Sequence, residues 1–127
     1  MPKPGTPVKR ILVVDDDPVV CDAVKMLLLF DGHKVETATS GKDALSLFES
    51  GKFDLVLADY GMPVMRGDEL AAAIKAHTPN QPVIMITAFI ETFQPSDLPP
   101  AGVDFVLSKP FRLETLREAI AKVSPTT

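Results

Sequence analysis

Asp59 closes the apolar run Phe53-Asp54-Leu55-Val56-Leu57-Ala58, and the run Ile11-Leu12-Val13-Val14 ends in Asp15-Asp16-Asp17. A third run, Val83-Ile84-Met85-Ile86, ends in Thr87, and a fourth, Phe105-Val106-Leu107, leads through Ser108 to Lys109. Carboxylates, a hydroxyl and an ammonium thus stand where four buried strands stop. In open α/β sheets that carboxyl edge is where ligands sit. Neighbouring strands lie about 4.8 Å apart, so acids at the ends of the first and third strands can converge. Two such charges about 4 Å apart repel by roughly 4 kcal/mol at an effective dielectric near 20. A divalent cation between them would offset that cost. The donors are hard oxygens with no histidine or thiol, which favours Mg²⁺ over zinc. Mg²⁺ and Lys109 together would balance Asp15, Asp16 and Asp59, leaving a near-neutral pocket able to take a phosphoryl group. Carboxylates can attack phosphorus to give an aspartyl phosphate. The cation, the lysine and a hydroxyl would then stabilise the transferring oxygens.

Each piece alone has a plainer reading. The three acids could be a capping cluster at the positive end of a helix, Asp59 a turn residue before Gly61, Thr87 a strand residue and Lys109 a solvated charge. Their joint placement, each after an apolar strand, favours the chemical reading.

The elements that must position them follow from periodicity. Strand-length apolar runs alternate with helix-period segments, the pattern of a parallel sheet with crossover helices. The predicted strands are Lys9 to Val14, Lys34 to Ala38, Phe53 to Ala58, Pro82 to Ile86 and Asp104 to Leu107. Asp17 can cap a first helix with Pro18 at its first position. That helix turns Val20, Ala23, Val24, Leu27 and Leu28 inward and stops at Gly32. Ser40 and Asp43 form a capping pair for a second helix that carries Ala44, Leu45 and Phe48 inward and ends at Gly51. Tyr60 to Arg66 reads as an irregular loop. A third helix runs from Gly67 to His77, stopped by Thr78-Pro79. A last helix runs from Arg112 to Val123 with Leu113, Leu116, Ile120 and Val123 on one face. Between the fourth and fifth strands, Glu91 to Ala101 holds Pro95, Pro99 and Pro100. An interior proline costs a helix roughly 3 kcal/mol, so this crossover is expected to be short or irregular. The division is an N-terminal arm over 1–8, one domain over 9–123 and a tail over 124–127.

The 127 residues suit a single domain. With 46% hydrophobic and 24% charged residues the composition is globular. The net charge of -4 gives no support to nucleic-acid binding. No run approaches the ~20 apolar residues of a membrane span, and the start lacks the apolar stretch of a signal peptide. The one cysteine, Cys21, cannot form an internal disulfide; it reads as a small core or boundary side chain, and a reducing, cytoplasmic location is expected. His33 and His77 follow or end helices without partners for a metal or phosphocarrier site, and both are expected at the surface. Met62 and Met65 read as loop packing. Tyr60 either shields the site or lies exposed, and Phe89 could limit water access to it.

The stretches Ile11 to Pro18 (ILVVDDDP), Asp54 to Leu70 (DLVLADYGMPVMRGDEL), Met85 to Ala88 (MITA) and Ser108 to Phe111 (SKPF) resemble the response-regulator receiver domain of two-component signalling. The resemblance runs from about Lys9 to Val123. It implies a doubly wound, five-stranded parallel sheet of the flavodoxin-like α/β class. It implies that Asp59 accepts a phosphoryl group from a phosphohistidine on a histidine kinase or phosphotransfer domain, and that the chain is a switch acting on a downstream protein rather than a turnover enzyme. It implies that Asp16 ligates Mg²⁺ directly, Asp15 mainly through water, and Asp59 and the Gly61 backbone carbonyl complete the set. Thr87 and Lys109 would hold phosphoryl oxygens, and Lys109-Pro110 would be a cis peptide bond. Two features depart from the family. Val106 stands where an aromatic switch residue usually sits, and Phe105 faces the other side of the strand. The proline-rich crossover alters the usual output surface. Two alternatives are a degenerate receiver that binds partners unphosphorylated and a haloacid-dehalogenase-type phosphatase. The second would use Asp15 and Asp17, but Pro18 and Val19 replace that family's glycine and threonine. The chain carries no output domain, so it is expected to be free-standing or part of a longer protein.

Overall fold

The computed structural model describes residues 8–88, 100 and 102–123. Among the described residues, five strands and four helices follow one another as β1 (Arg10–Val14), α1 (Pro18–Phe30), β2 (Lys34–Ala38), α2 (Gly41–Ser50), β3 (Leu55–Asp59), α3 (Gly67–His77), β4 (Val83–Thr87), β5 (Phe105–Ser108) and α4 (Leu113–Val123). All strand pairs are parallel, in the order β2-β1-β3-β4-β5. This is the doubly wound flavodoxin-like α/β fold. The expected proline-rich irregularity, apart from Pro100, and Phe89 lie outside the described residues.

Alternation along each strand divides the interior into two cores. Ile11, Val13, Leu55, Leu57, Ile84 and Ile86 meet Cys21, Val24 and Leu28 of α1 and Leu116, Ala119 and Ile120 of α4. Leu12, Val14, Val56, Ala58, Val83 and Met85 meet Ala44 and Phe48 of α2 and Leu70, Ala71 and Ile74 of α3. Full burial of one such aliphatic side chain stabilises by about 1.5–3 kcal/mol. Strands covered on both faces must read as continuous apolar runs, and all five residues of β3 and of β4 are buried.

The helix ends obey local rules. Asp17 is extended and its Oδ1 accepts the Val19 N–H at 2.9 Å, with Pro18 first in α1. Ser40 Oγ accepts the Asp43 N–H at 3.1 Å at the start of α2. Gly32 follows α1 with a φ of 85°, a left-handed backbone that glycine adopts without penalty.

Three expectations need correction. Several strand ends differ from the reading by one or two residues; β3, for example, begins at Leu55 and includes Asp59. Ala23 is exposed, and Cys21 takes its place in the core, because the buried stripe of α1 runs Cys21, Val24, Leu28. His33 is buried, only 5% exposed. Its Nδ1 accepts the Lys9 N–H at 3.1 Å, while the Lys34 N–H donates to the Lys9 carbonyl at 2.9 Å. A neutral imidazole thus ties the entry of β1 to β2. Burial lowers the His33 pKa, with Asp31 opposing and Lys9 assisting. Beside it, Asp31 caps α1 and binds Arg117 of α4 through both carboxylate oxygens at 2.6 Å. His77 is exposed, 3.7 Å from Glu49. Met62 is buried, and Met65 packs against the same core.

Candidate functional site

β1, β3, β4 and β5 stand side by side and run the same way, so their C-terminal ends share one rim. The ladder continues a residue past several of them. The Asp15 N–H donates to the Ala38 carbonyl at 3.1 Å, Tyr60 N–H to Ile86 at 2.8 Å and Lys109 N–H to Thr87 at 2.8 Å. These bonds hold Asp15, Asp59, Thr87 and Lys109 at the level where the sheet ends. The rim lies between β1 and β3, where successive crossovers depart to opposite sides.

Lys109 links the acids. Its Nζ donates to Asp15 Oδ2 and to Asp59 Oδ1, each at 3.0 Å, across 94 and 50 residues of sequence. Asp15 Oδ1 accepts the Asp17 N–H at 2.9 Å, so both oxygens of Asp15 have partners. Asp15, Asp16 and Asp59 each offer one oxygen, all within 4.8 Å of one another, with Asp16 exposed and the other two buried. Burial raises the Asp59 pKa, Lys109 opposes this, and Asp15 and Asp16 push it further up. Burial alone would lower the Lys109 pKa, but its bonds to Asp15 and Asp59 outweigh that and raise it. With these groups ionised, one ammonium faces three carboxylates.

Such a set fits a divalent cation. Oxygens about 2.1 Å from Mg²⁺ stand at most roughly 4.2 Å apart, so the three donors need only a small adjustment to share one ion. A Cβ placed on Gly61 would lie 3.8 Å from Asp59 Oδ2, so Gly61 borders the carboxylate closely. Thr87 is the last residue of β4, 1% exposed, and lies on the face of the sheet that carries Met85. Val106 pairs with Met85 in register and packs, partly buried, on that same face. Phe105 joins the opposite core and stacks under Lys122. Tyr60 is partly buried against the core, its ring 5.8 Å from the Arg66 guanidinium. The Lys109-Pro110 peptide is cis.

Some features of the site were not read from sequence. The Asp17 N–H bond to Asp15 is one. The Cys21 thiol, which donates to the Asp15 carbonyl at 3.3 Å, is another. The tight approach of Gly67 to the backbone of Asp59 is a third. The tripeptide spacing of Asp15 and Asp17 could have suggested the first, and nothing local signals the other two.

The site and the strand order together define a signalling domain with an acidic carboxyl-edge pocket. The family profile of the response regulator receiver domain matches residues 11–121, and the chain belongs to that family of two-component signalling. It is 37% identical over 117 residues to chemotaxis protein CheY-3 of Vibrio cholerae, covering 90% of each chain. It is 37% identical over 107 residues to response regulator MprA of Mycolicibacterium vanbaalenii, covering 84% of this chain and 46% of that one. The chain thus spans about half the length of MprA. Among solved structures, the response regulator TrrA of Thermotoga maritima, in complex with Mg²⁺-BeF, superposes with a TM-score of 0.83 at 36% identity, covering 91% of this chain and 99% of that one. A receiver domain protein from Clostridium thermocellum gives a TM-score of 0.84 at 30% identity, covering 91% and 94%.

Proposed function

We propose that this chain is a Mg²⁺-dependent switch that accepts a phosphoryl group on Asp59 from the phosphohistidine of a histidine kinase or phosphotransfer domain. The observation that carries this reading is the Lys109 ammonium held 3.0 Å from both Asp15 and Asp59 in a pocket of three converging carboxylates. An Asp59 oxygen attacks phosphorus, the P–O bond forms, and the P–N bond to the donor imidazole breaks. Lys109, already placed at the Asp59 carboxylate, holds one of the phosphoryl oxygens. The Thr87 hydroxyl donates to another and moves toward it. Asp15, Asp16, Asp59 and the Gly61 carbonyl would hold Mg²⁺, which would supply charge compensation for the transferring oxygens. Val106 shares a face with Thr87, so movement of the hydroxyl favours one of two states of the β4–β5 rim.

On this reading the chain is a phosphoacceptor that promotes only its own phosphorylation and dephosphorylation. It works in the cytoplasm, passing its state to a downstream protein. The surplus of acids over bases argues against direct nucleic-acid binding by this domain. Residues 9–123 form the folding unit. The complex of TrrA with Mg²⁺-BeF supports Mg²⁺ as the ion.

The test is labelling with acetyl phosphate and Mg²⁺. We expect stoichiometric, acid-stable but base-labile phosphate that Asp59→Asn abolishes. Label that survives Asp59→Asn and disappears only with Asp15→Asn would transfer the nucleophile to Asp15 and favour the phosphatase. No label at all, with the fold and Mg²⁺ binding intact, would favour the unphosphorylated interaction module.

A further inference from the structure

α3 begins against the main chain of the residue it serves. Gly67 is its first residue and is buried. Its N–H donates to the Tyr60 carbonyl at 3.1 Å. A Cβ there would stand 2.6 Å from the Asp59 carbonyl oxygen, 2.9 Å from its carbon and 3.0 Å from Tyr60 Cα. All three are backbone atoms, and the Asp59 carbonyl belongs to the peptide that leaves the sheet. Neither partner can swing aside as a side-chain tip could. A softer contact involves the same loop: a Cβ on Gly41, at the start of α2, would meet side-chain atoms of Met65, Sδ at 2.6 Å and Cβ and Cγ at 3.0 Å, and no backbone. The loop from Tyr60 to Arg66 is therefore held hard on one flank and softly on the other. Arg66 fixes the hard flank further, its N–H donating to Glu69 Oε1 at 2.9 Å.

We propose that Gly67 is a positioning residue for phosphoryl acceptance at Asp59. Its lack of a side chain lets the first turn of α3 lie directly on the Asp59 carbonyl and so fixes the height of the carboxylate relative to Lys109, Asp15 and Asp16. The inference rests on the phosphoacceptor reading above. A methyl group at 67 must push the Asp59–Tyr60 peptide outward. Because Lys109 bridges Asp59 and Asp15 by single bonds of 3.0 Å, a shift of a few tenths of an ångström moves the nucleophile relative to everything that stabilises its product.

The test compares Gly67→Ala, Glu69→Ala and Gly41→Ala with the parent in the full chain. Tyr60 is the only tyrosine and there is no tryptophan, so intrinsic fluorescence reports from the residue next to Asp59. Mg²⁺ is titrated by that signal, and the rate of labelling is followed against acetyl phosphate concentration. For folded Gly67→Ala we expect at least a tenfold loss in maximal labelling rate and weaker Mg²⁺ binding, with the half-saturating donor concentration nearly unchanged. A role confined to stability would lower the unfolding temperature and leave the maximal rate of the folded fraction alone. If Gly67→Ala does not fold, Glu69→Ala decides: it frees the first turn of α3 at an exposed position, and about a threefold loss in maximal rate is expected. Gly41→Ala should stay within twofold. A maximal rate and Mg²⁺ affinity within twofold of the parent, in folded Gly67→Ala or in Glu69→Ala where the first fails, overturns the proposal. A parent that takes no label on Asp59 overturns the phosphoacceptor reading and this inference together.

Discussion

Lys109 is one cation serving two buried carboxylates, and its removal should separate two functions of the pocket. In Lys109→Ala the site keeps all three acids and loses their internal counter-charge. Mg²⁺ should bind more tightly by Tyr60 fluorescence, while the maximal labelling rate falls about a hundredfold, the scale of losing one preorganised electrostatic donor. Equal losses in both would mean that Lys109 only holds the fold. His33 gives a second prediction. Its folded pKa lies below the ordinary 6.5, chiefly through burial. Between the folded value and about 6.5 the unfolded chain therefore carries a proton that the native protein lacks, and stability rises with pH through that window and levels above it. Urea melts from about pH 5 to 7.5 should show this slope, and His33→Gln should flatten it. Asp31 acts in another range: its pKa, lowered mainly by Arg117, lies below the ordinary 3.8, so its contribution is present above that value and lost as pH falls below it. Asp15, Asp59, Thr87 and Lys109 were legible because each follows an apolar run, which fixes both strand and end. His33 was not, because the partner that satisfies its buried ring, the Lys9 N–H, lies 24 residues away in sequence.

Helices and strands were legible wherever a local signal set both ends. α3 is delimited as read because Thr78-Pro79 stops it and the loop with Pro63 precedes it. α1 starts as read because Asp17 and Pro18 are a cap and a first-turn residue. The inward face of α1 was not fully legible, since apolar residues occupy nearly all sides of it. Val19, Met26, Leu29 and Phe30 remain exposed although their types match those inside. Asp22 and Lys25 alone mark the outer side, too few for periodicity to choose a face, and the packing of α1 on β1 and β2 makes the choice. The cap itself can be tested. Asp17→Ala should cost about 1 kcal/mol of stability by chemical denaturation. The labelling rate should stay unchanged, because the side chain of Asp17 is spent on the Val19 N–H. A fall in labelling rate greater than the loss of folded protein would make Asp17 part of the pocket instead.

At the scale of the whole molecule, the sheet couples the metal pocket to global stability. The carboxylates converge only when β1 and β3 are paired, so on the proposed reading Mg²⁺ would bind the folded chain and not the unfolded one. At a hundred times its dissociation constant the ion should add about 2.7 kcal/mol. Thermal melts with Mg²⁺ and with chelator should differ accordingly, and Asp59→Asn should shrink the difference. The parallel sheet was legible from the alternation of strand and helix patterns, and its doubly wound class from the family resemblance; the strand order β2-β1-β3-β4-β5 was not, because it depends on pairings between segments distant in sequence. The division into two cores followed from period-two alternation within strands that look uniformly apolar.

Cys21 lies against the underside of that pocket, 2% exposed, its thiol given to the Asp15 carbonyl and its pKa raised chiefly by burial. A bulky aromatic disulfide in solution cannot touch it while α1 stays seated. Each molecule that reacts must first have opened, so the progress of the colour reaction keeps time for the native state's own excursions. Mg²⁺ should slow that clock by the same factor by which it deepens the folded well, without any tag or substitution in the chain.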